Sequence, residues 1–347
     1  MSDVIVFGAG RMGAVIAHAM KNLGHDVSVA DASTKALDEL RPSYKTYLIN
    51  NLDENLKVIL SKPFSLVISA LPYHATKKVA NVCIDNKIPY CDLGGSVPVS
   101  QDINSYAIEM GSMVFTDLGL APGLVNILAE WGYNELDGAE NVSMMVGGLP
   151  NVASSNLLGY TVTWSIDGLL NEYKDDCEIL EDGKIKSAKG MDGLENVTTQ
   201  RLGELEAFYT SGGASHTIRT MKERGVKNCS YKTLRYKGHN DIVRFLIRNC
   251  DLTEECLKEI FEKGCDTQHD DLTIVRVVVE LENLYWKKEF IINADEKFTA
   301  MQKSTAFSLA AVADLMTKSY FDNRPLGYRD VPFDPFCKNL SLLGIEA

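Results

Sequence analysis

The beginning of the chain carries the feature that most constrains its fold, a glycine-rich turn between a short strand and a helix. The β-branched run Val4 to Phe7 leads directly into Gly8, and apolar residues with helical spacing follow from Val15 to Leu23. A second strand-like run, Asp26 to Ala30, ends at Asp31. This order of strand, turn, helix, strand and acid within about 30 residues is typical of a βαβ unit that binds a dinucleotide.

The three glycines of this GxGxxG motif have separate tasks. Gly8 permits the tight turn, Gly10 lets the backbone approach a pyrophosphate, and Gly13 lets helix and strand pack closely. The phosphates are then expected at the free amides of the helix N-terminus, where the helix dipole is positive. We therefore predict a cofactor-binding turn made of Gly8, Gly10, Arg11, Met12 and Gly13. The alternative is an ordinary glycine turn.

Asp31 lies 18 residues after Gly13, at the end of the second predicted strand. A carboxylate there accepts hydrogen bonds from both hydroxyls of the adenosine ribose and repels a 2'-phosphate. No arginine follows it in the segment 32–34, so the sequence favours NAD. NADP stays open because Arg11 is able to contact a phosphate.

The composition and charge of the chain argue against some classes of binding partner. The 347 residues are 45% hydrophobic, which suggests two domains with sizeable cores. The formal charge of -12 argues against a nucleic-acid partner or an anionic membrane surface. No apolar run reaches 18 residues, and the first strand leaves no room for a removable signal, so we expect a cytoplasmic protein without a membrane partner.

The eight cysteines form no CxxC pair, which fits reduced thiols in the cytosol. One group invites a metal interpretation: Cys250, Cys256, Cys265 and His269. Their spacing matches no standard zinc pattern, so we expect no metal site.

Strand-like and helical runs alternate as far as Asp117, and this alternation predicts a doubly wound parallel sheet. Beyond residue 141 strand-like runs follow one another, and they include Tyr160 to Trp164 and a hairpin turned at Asp182-Gly183. The predicted fold class is α/β, an N-terminal Rossmann doubly wound parallel sheet plus an α+β domain with a largely antiparallel sheet. The predicted domains are 1–125, 126–298 and a C-terminal helix and tail, 299–347, that returns to the first domain. The tail from Asp322 carries three prolines and is predicted to be irregular.

Ligands of such sheets lie at the carboxyl ends of the strands. The residues Ala70, Leu71 and Pro72 end one predicted strand, and we assign them to cofactor binding together with His74, which we expect to cap a helix on the cofactor side. Asp92 and Asp117 end two further strands, where either orients a substrate ammonium or a water, or else caps the next element.

The corner that follows Asp117 places Pro122 where we expect the first position of a helix from Gly123 to Leu136. The N-terminus of that helix is able to bind a substrate carboxylate, or the corner is a plain junction. Asn126 either holds a substrate carboxylate or bonds within its helix.

Three further positions are candidates for contact with substrate. His239 has a suitable intrinsic pKa for a general base, or it only caps a helix. Arg235 on the same strand is able to clamp a carboxylate through two parallel hydrogen bonds, or it is structural. The turn Ser211, Gly212 and Gly213 offers a hydroxyl and amides to a polar group, or it is a simple glycine turn.

Several motifs resemble those of one family, the saccharopine dehydrogenase and lysine 6-dehydrogenase group. They are GAGRMG at 8–13, YCDLGG at 90–95, DLGLAPGLVNIL at 117–128, VGGLP at 146–150, WSIDGLLNEY at 164–173, LEAFYTSGGAS at 205–215, YKTLRYKGH at 231–239 and TAMQKSTAFSLAAVA at 299–313. Saccharopine reductases typically carry an acid and an aromatic residue where this chain has Ala121 and Gly95. The likeness is therefore closer to the lysine 6-dehydrogenase branch.

The resemblance implies a Rossmann domain, a second domain with the substrate pocket, a homodimer or larger homo-oligomer, and oxidation of an amine on a small amino-acid substrate. Our expectation is an NAD(P)-dependent oxidoreductase that deaminates the ε-amine of L-lysine to 2-aminoadipate 6-semialdehyde, with NAD as cofactor. Saccharopine dehydrogenase, a polyamine-type reductase and an inactive dinucleotide-binding sensor are the alternatives. An alkyl ammonium has a pKa of about 10.4, so a base must remove its proton before hydride leaves. His239, Asp92 and Asp117 are the residues predicted to carry this chemistry.

Overall fold

The structure, a computed structural model, describes residues 1–152, 158–265, 270–318 and 320–346. It divides the chain into two units. One unit contains Met1–Leu124 and Gln302–Ala347, and the other contains Val125–Met301.

A six-stranded parallel sheet forms the centre of the first unit. Its strands, in chain order, are β1 (Asp3–Phe7), β2 (Asp26–Asp31), β3 (Lys45–Leu48), β4 (Leu66–Ser69), β5 (Tyr90–Asp92) and β6 (Val114–Phe115). The spatial order β3-β2-β1-β4-β5-β6 is that of a dinucleotide-binding fold, in which the chain reverses direction across the sheet beside β1. The predicted Rossmann sheet is confirmed.

Helices cover the strands because β1 and β4 are apolar on both faces and need burial on each side. These helices are α1 (Arg11–Asn22), α2 (Thr34–Leu40), α3 (Leu52–Ile59), α4 (Tyr73–Asp85) and α5 (Val97–Met110). A core cluster of this unit joins Ile5 and Val67 of the sheet to Val79 and Ile103 of the helices.

The second unit is built on a mixed, mostly antiparallel sheet, as predicted. Its strands are β7 (Asn141–Pro150), β8 (Asp176–Glu181), β9 (Lys184–Lys189), β10 (Glu195–Thr199), β11 (Gly203–Tyr209), β12 (Asn228–Tyr236), β13 (Asp271–Leu281) and β14 (Leu284–Asn293). The main order is β10-β11-β12-β7-β13-β14, and among the described strands of this second sheet only β7 and β12 pair in parallel. The predicted turn at Asp182-Gly183 joins β8 to β9, and both residues have positive φ, as a two-residue hairpin requires.

Helices of the second unit pack on one face of this sheet. They are α6 (Leu124–Glu135), α7 (Ile166–Lys174), α8 (Thr217–Glu223), α9 (His239–Asn249) and α10 (Glu254–Gly264). The opposite face is closed by the β10–β11 hairpin, because Arg276 of β13 donates to the carbonyl of Thr198 and Glu289 of β14 accepts from the amide of Gln200.

Two predictions about local structure in the second half were wrong or incomplete. The segment 160–164 is not a strand, because Tyr160, Val162 and Trp164 pack into the apolar cluster formed with α7, α9 and α10. Strands β10 and β11 and helix α7 were not predicted.

The chain ends with α11 (Ala300–Met316), a 3₁₀ turn (Tyr328–Asp330) and α12 (Phe333–Leu342). The long helix is confirmed, but the prediction of an irregular tail was wrong. Pro332 caps α12 and Pro335 lies in its first turn. Proline is tolerated at both places because those amides have no partner within the helix.

Two expected absences fall partly outside the described residues. His269 of the candidate metal group is not among them, and the residues that are described contain no cluster of three His, Cys, Asp or Glu side chains placed to hold a metal ion. Of the helices in the described ranges, none has both the length and the apolar character needed to cross a bilayer.

A buried hydrogen-bond network fixes the C-terminal helices within the first unit. Asp314 of α11 accepts from His25 Nε2 at 3.0 Å, Lys318 Nζ at 2.6 Å and Asn339 Nδ2 at 2.7 Å. Burial alone would raise the pKa of Asp314, but the bonds from His25, Lys318 and Asn339 outweigh burial and lower it. The ionised carboxylate therefore stabilises the folded state.

We expect Asp314→Asn to lower the free energy of unfolding by about 2–3 kcal/mol, because it leaves charged and polar partners without a carboxylate. A carboxyl with a lowered pKa contributes stability above its unfolded pKa of about 4, and this contribution is lost as pH falls through the folded value. The difference between variant and wild type should therefore shrink below about pH 4. Urea unfolding at pH 7 and pH 3.5 measures both effects.

The matched control is Asp53→Asn, which removes an exposed ion pair with Lys78. Its effect should stay within about 0.5 kcal/mol. Equal losses in the two variants would contradict a stabilising role for the buried network.

Candidate active site

The glycine turn between β1 and α1 admits no side chain at two of its positions. A Cβ on Gly13 would lie 1.9 Å from the carbonyl oxygen of Gly8, and Gly8 itself has a φ of +108°. A Cβ on Gly8 would lie 2.8 Å from the carbonyl oxygen of Ala70 at the end of β4. The turn is thus pressed against both the helix behind it and the neighbouring strand.

Gly10 differs from its two partners because nothing lies within 4 Å of the place where its Cβ would be. It is the N-cap of α1, and no side chain caps that helix. Arg11 and Met12 open the helix, and Arg11 is exposed. Open space beside uncapped amides at a helix N-terminus fits a dinucleotide pyrophosphate. The residues present therefore fit the predicted cofactor.

Asp31 is held beside this turn by two backbone amides. Its Oδ2 accepts from Ala9 N at 2.6 Å and its Oδ1 accepts from Ser33 N at 2.6 Å. Each carboxylate oxygen has a second lone pair for a further donor. The carboxylate is therefore fixed at the position where the adenosine ribose is expected.

The end of β4 adjoins the same turn. Ala70 donates its amide to the carbonyl of Phe7 at 2.8 Å, and Leu71 accepts from the hydroxyl of Thr76 at 3.1 Å. Pro72 caps α4, and His74 is exposed in the first turn of that helix. The structure thus brings Ala70 against the glycine turn, and the cofactor roles of all four residues stay predictions.

Asp92 and Asp117 meet at the ends of β5 and β6. Asp92 Oδ1 accepts from the amides of Asp117 at 3.1 Å and Gly94 at 2.9 Å, and Asp92 Oδ2 accepts from the hydroxyl of Tyr90 at 2.8 Å. Asp117 accepts from the hydroxyl of Ser100 at 2.7 Å and has a φ of +64°. Burial, helped by the charge of Asp117, raises the pKa of Asp92 to about 7. This carboxyl is able to gain or lose a proton near neutral pH.

The corner after Asp117 differs from its prediction. Pro122 does not open the helix, because α6 begins at Leu124. The carbonyl of Pro122 accepts from the amide of Gly119 at 2.7 Å, and Gly123 has a φ of +130°. A tight loop therefore precedes the helix.

Arg235 lies in the second unit, on β12, and is only 3% exposed. Its Nε donates to the hydroxyl of Tyr173 at 2.9 Å, and its Nη1 donates to the carbonyl of Leu234 at 2.9 Å. The guanidinium stacks over the ring of Tyr160 at 4.7 Å from the centroid. No carboxylate of the described residues forms an ion pair with it, although Glu172 acts on it electrostatically.

His239 adjoins Arg235 through Tyr173. Its Nδ1 lies 2.8 Å from the carbonyl oxygen of Leu158 and therefore carries the proton, so Nε2 accepts from the hydroxyl of Tyr173 at 3.0 Å. Burial, helped by the charge of Arg235, lowers the pKa of His239 to about 3. In this arrangement His239 is neutral and orients Tyr173, and its role as a base stays a prediction.

Asn126 holds the loop that carries the predicted glycine turn. Its Nδ2 lies 3.0 Å from the carbonyl of Ala214, 3.3 Å from that of Gly213 and 2.9 Å from the hydroxyl of Thr217. Ser211 donates its amide to the carbonyl of Glu172 at 3.0 Å. Gly212 has a φ of +87°, which favours glycine at the tip of the loop. Asn126 thus positions the loop beside α7, and contact of these residues with substrate stays a prediction.

The predicted residues fall into two groups, and the structure brings together the members of each. The first unit joins the glycine turn, Asp31 and Ala70, and it also joins Asp92 to Asp117. The second unit joins Arg235 to His239. Sequence reasoning missed Tyr160, Glu172 and Tyr173, which surround Arg235. Two of them, Glu172 and Tyr173, are neighbours near the end of α7, and no local sequence signal links them to Arg235.

Comparison with known protein families finds two matching domain models. The saccharopine dehydrogenase NADP binding domain matches residues 4–113. The saccharopine dehydrogenase C-terminal domain matches residues 119–328. Together they cover most of the chain.

Relatives of known name are about a quarter identical to this chain over the residues that align. The mitochondrial alpha-aminoadipic semialdehyde synthase of Rattus norvegicus is 24% identical over 275 residues, which are 71% of this chain and 28% of that protein. A saccharopine dehydrogenase [NADP(+), L-glutamate-forming] of Schizosaccharomyces pombe is 26% identical over 304 residues, which are 84% of this chain and 66% of that protein. The chain thus spans little more than a quarter of the rat protein.

One solved structure resembles the chain over its whole length. It is the saccharopine dehydrogenase (L-Glu forming) of Saccharomyces cerevisiae, with a TM-score of 0.77, 16% identity, and coverage of 98% of this chain and 97% of that one. This likeness shows a shared fold. With family models matched in both halves, the chain belongs to the saccharopine dehydrogenase family.

Proposed function

We propose that this chain is a nicotinamide-dependent oxidoreductase that cleaves the C–N bond of an amino-acid amine after oxidising it. The secondary amine of saccharopine is the substrate that we place first, because several relatives are named for it. The chain spans only part of most of these relatives, so their names support the proposal without deciding it.

The observation that carries the proposal is the buried guanidinium of Arg235. Arginine has five N–H donors, and Arg235 uses two of them within the described residues, which leaves three. A buried charge with unused donors is unfavourable unless a ligand completes it. A planar fork of this kind matches a carboxylate, the group that every amino-acid substrate carries.

The reaction follows from the chemistry of amines. A dinucleotide held by the glycine turn and Asp31 would supply the hydride acceptor for the carbon next to nitrogen. The substrate loses that hydride and one proton, and the resulting C=N bond adds water. Breaking the C–N bond then yields a carbonyl compound and the amine that was its partner, so one water is consumed.

A protein group must accept the proton of the substrate ammonium. Of the three predicted residues, Asp92 has the more suitable pKa, about 7, whereas the pKa of His239 is about 3. Asp92 is buried and accepts three hydrogen bonds. We therefore assign proton storage to the Asp92–Asp117 pair, and we assign the orientation of Tyr173 and Arg235 to His239.

The ε-amine of L-lysine is the second candidate substrate. It is favoured by Ala121 and Gly95, which stand where saccharopine reductases typically carry an acid and an aromatic residue.

A panel of amines distinguishes the two candidates. We expect reduced nicotinamide to appear, at 340 nm, when purified protein is mixed with NAD or NADP and saccharopine, and ammonia to be absent from the products. Turnover of L-lysine with release of ammonia, but no turnover of saccharopine, would reverse the order of the candidates. Dinucleotide binding without turnover of saccharopine, lysine, ornithine or diamines would instead indicate a sensor.

We further propose that NAD is the preferred dinucleotide, although the matching family model is described as NADP binding. Asp31 is a fixed carboxylate at the expected ribose position, and a 2'-phosphate placed there meets like charge. In Asp31→Ala the repulsion is gone while Arg11 remains. The ratio of kcat/KM for NADP to that for NAD should therefore rise about tenfold or more.

The control is Asp26→Ala, which removes an exposed carboxylate at the other end of the same strand. This variant should keep the wild-type ratio. A wild-type enzyme that already prefers NADP, or an unchanged ratio in Asp31→Ala, would contradict the assignment.

Arg235→Lys tests the carboxylate contact. The variant keeps the positive charge but loses the two-pronged geometry, so KM for the amino-acid substrate should rise about tenfold to a hundredfold while dinucleotide affinity stays the same. Steady-state kinetics and fluorescence titration with reduced dinucleotide measure the two effects. Arg219→Lys, on an exposed residue paired with Glu178, is the matched control. An unchanged KM in Arg235→Lys would remove this residue from substrate binding.

A further inference from the structure

Glu172 is a half-buried carboxyl next to the Arg235 site. It precedes Tyr173 on α7, the residue whose hydroxyl holds Arg235 Nε. Within the described residues its carboxyl has no hydrogen-bond donor and no ion-pair partner. Its backbone is engaged, because the carbonyl accepts from the amide of Ser211 at 3.0 Å. The backbone at Glu172 is therefore held in place, while its carboxyl has no partner among the described residues.

The charges of Glu172 and Arg235 border one cluster of tyrosines. Both charges act on the hydroxyls of Tyr160, Tyr173 and Tyr231, which places them on the same polar group of side chains. Arg235 is the one charged residue in the described ranges that acts appreciably on the Glu172 carboxyl. Even so, the two do not reach the 4 Å of an ion pair, since no such pair joins them among the described residues.

If two buried side chains of opposite charge had only a structural role, we would expect them to form a direct ion pair. At a larger separation each of them lacks its counter-ion. Burial raises the pKa of Glu172 to about 8, opposed by Arg235. Among the described residues the ionised carboxylate thus has no direct hydrogen-bond or ion-pair compensation. A ligand that carries one positive and one negative group would supply it.

We propose that Glu172 and Arg235 together bind the primary α-ammonium and α-carboxylate of the amino-acid substrate. This assignment rests on the proposed function and deepens it. Saccharopine and L-lysine share this zwitterionic end, so the pair recognises the same group in either candidate. Glu172 then selects substrates that carry an α-ammonium group. A role as general base would instead affect the turnover of every amine substrate.

The test uses two pairs of probes that differ only in the α-amino group: saccharopine with its desamino analogue, N-(5-carboxypentyl)-L-glutamate, and L-lysine with 6-aminohexanoate. Binding to the full chain with oxidised dinucleotide is measured by calorimetry, so the result does not depend on turnover. Wild type should bind the α-amino member of at least one pair about tenfold more tightly, since a charge-assisted hydrogen bond is lost in the analogue. Failure of turnover in the amine panel, with this preference intact, would count against the reaction and not against the site.

In Glu172→Gln the preference should fall to within about twofold, through weaker binding of the α-amino member alone. Glu223→Gln, an exposed glutamate on α8, is the control and should keep the wild-type preference. Thermal melts establish that each variant is folded. The variant Glu172→Asp keeps the negative charge on a shorter side chain, so it should retain part of the preference for the α-amino member. Equal weakening of both members, a fall in kcat with KM unchanged for every amine, or no preference in wild type would overturn the proposal.

Discussion

No side chain fits between β1 and α1, and the nucleotide-binding half of the molecule depends on this contact. With a Cβ on Gly13 only 1.9 Å from the carbonyl of Gly8, any substitution would push the helix away from the strand. The helix N-terminus would then no longer point its amides at the space beside Gly10. The same backbone turn gives Asp31 its amide partner from Ala9, so the proposed ribose and phosphate contacts share one geometric cause.

The second unit depends on a different feature, which is a buried cation, Arg235, on a strand of its sheet. Arg235 is surrounded by aromatic rings, and their hydroxyls and π-faces stabilise it without neutralising it. His239 completes the chain of bonds, because a neutral imidazole accepts the Tyr173 proton and leaves the phenolic oxygen free to face the guanidinium. Burial disfavours a charged histidine at this place, and repulsion from Arg235 adds to that effect, so the pKa of His239 is low. The hydrogen bond from the Tyr173 hydroxyl to Nε2 therefore forms only when His239 is neutral.

Sequence reasoning succeeded where the cause of a feature is local. The glycine turn, the parallel sheet and the strand ends at Asp92 and Asp117 follow from neighbouring residues, and the structure has them. The α12 helix was missed because prolines were treated as breakers without regard to their place in the first turn. Glu172 was missed for another reason. Its significance comes from Arg235, which is 63 residues away in sequence, and no pattern within α7 reveals a charge that is completed from another element.

The choice between NAD and NADP depends on local chemistry, whereas the ability to bind a dinucleotide depends on the fold. The sheet order and the glycine turn fit NAD and NADP equally, since both share the pyrophosphate that the turn receives. Discrimination depends on the charge at the ribose, and here a carboxylate is held by the amides of Ala9 and Ser33 so that it cannot readily turn away. The NAD preference proposed for this chain is therefore compatible with a family model described as NADP binding, because one side chain at the end of β2 is sufficient to change the charge that the 2'-position would meet.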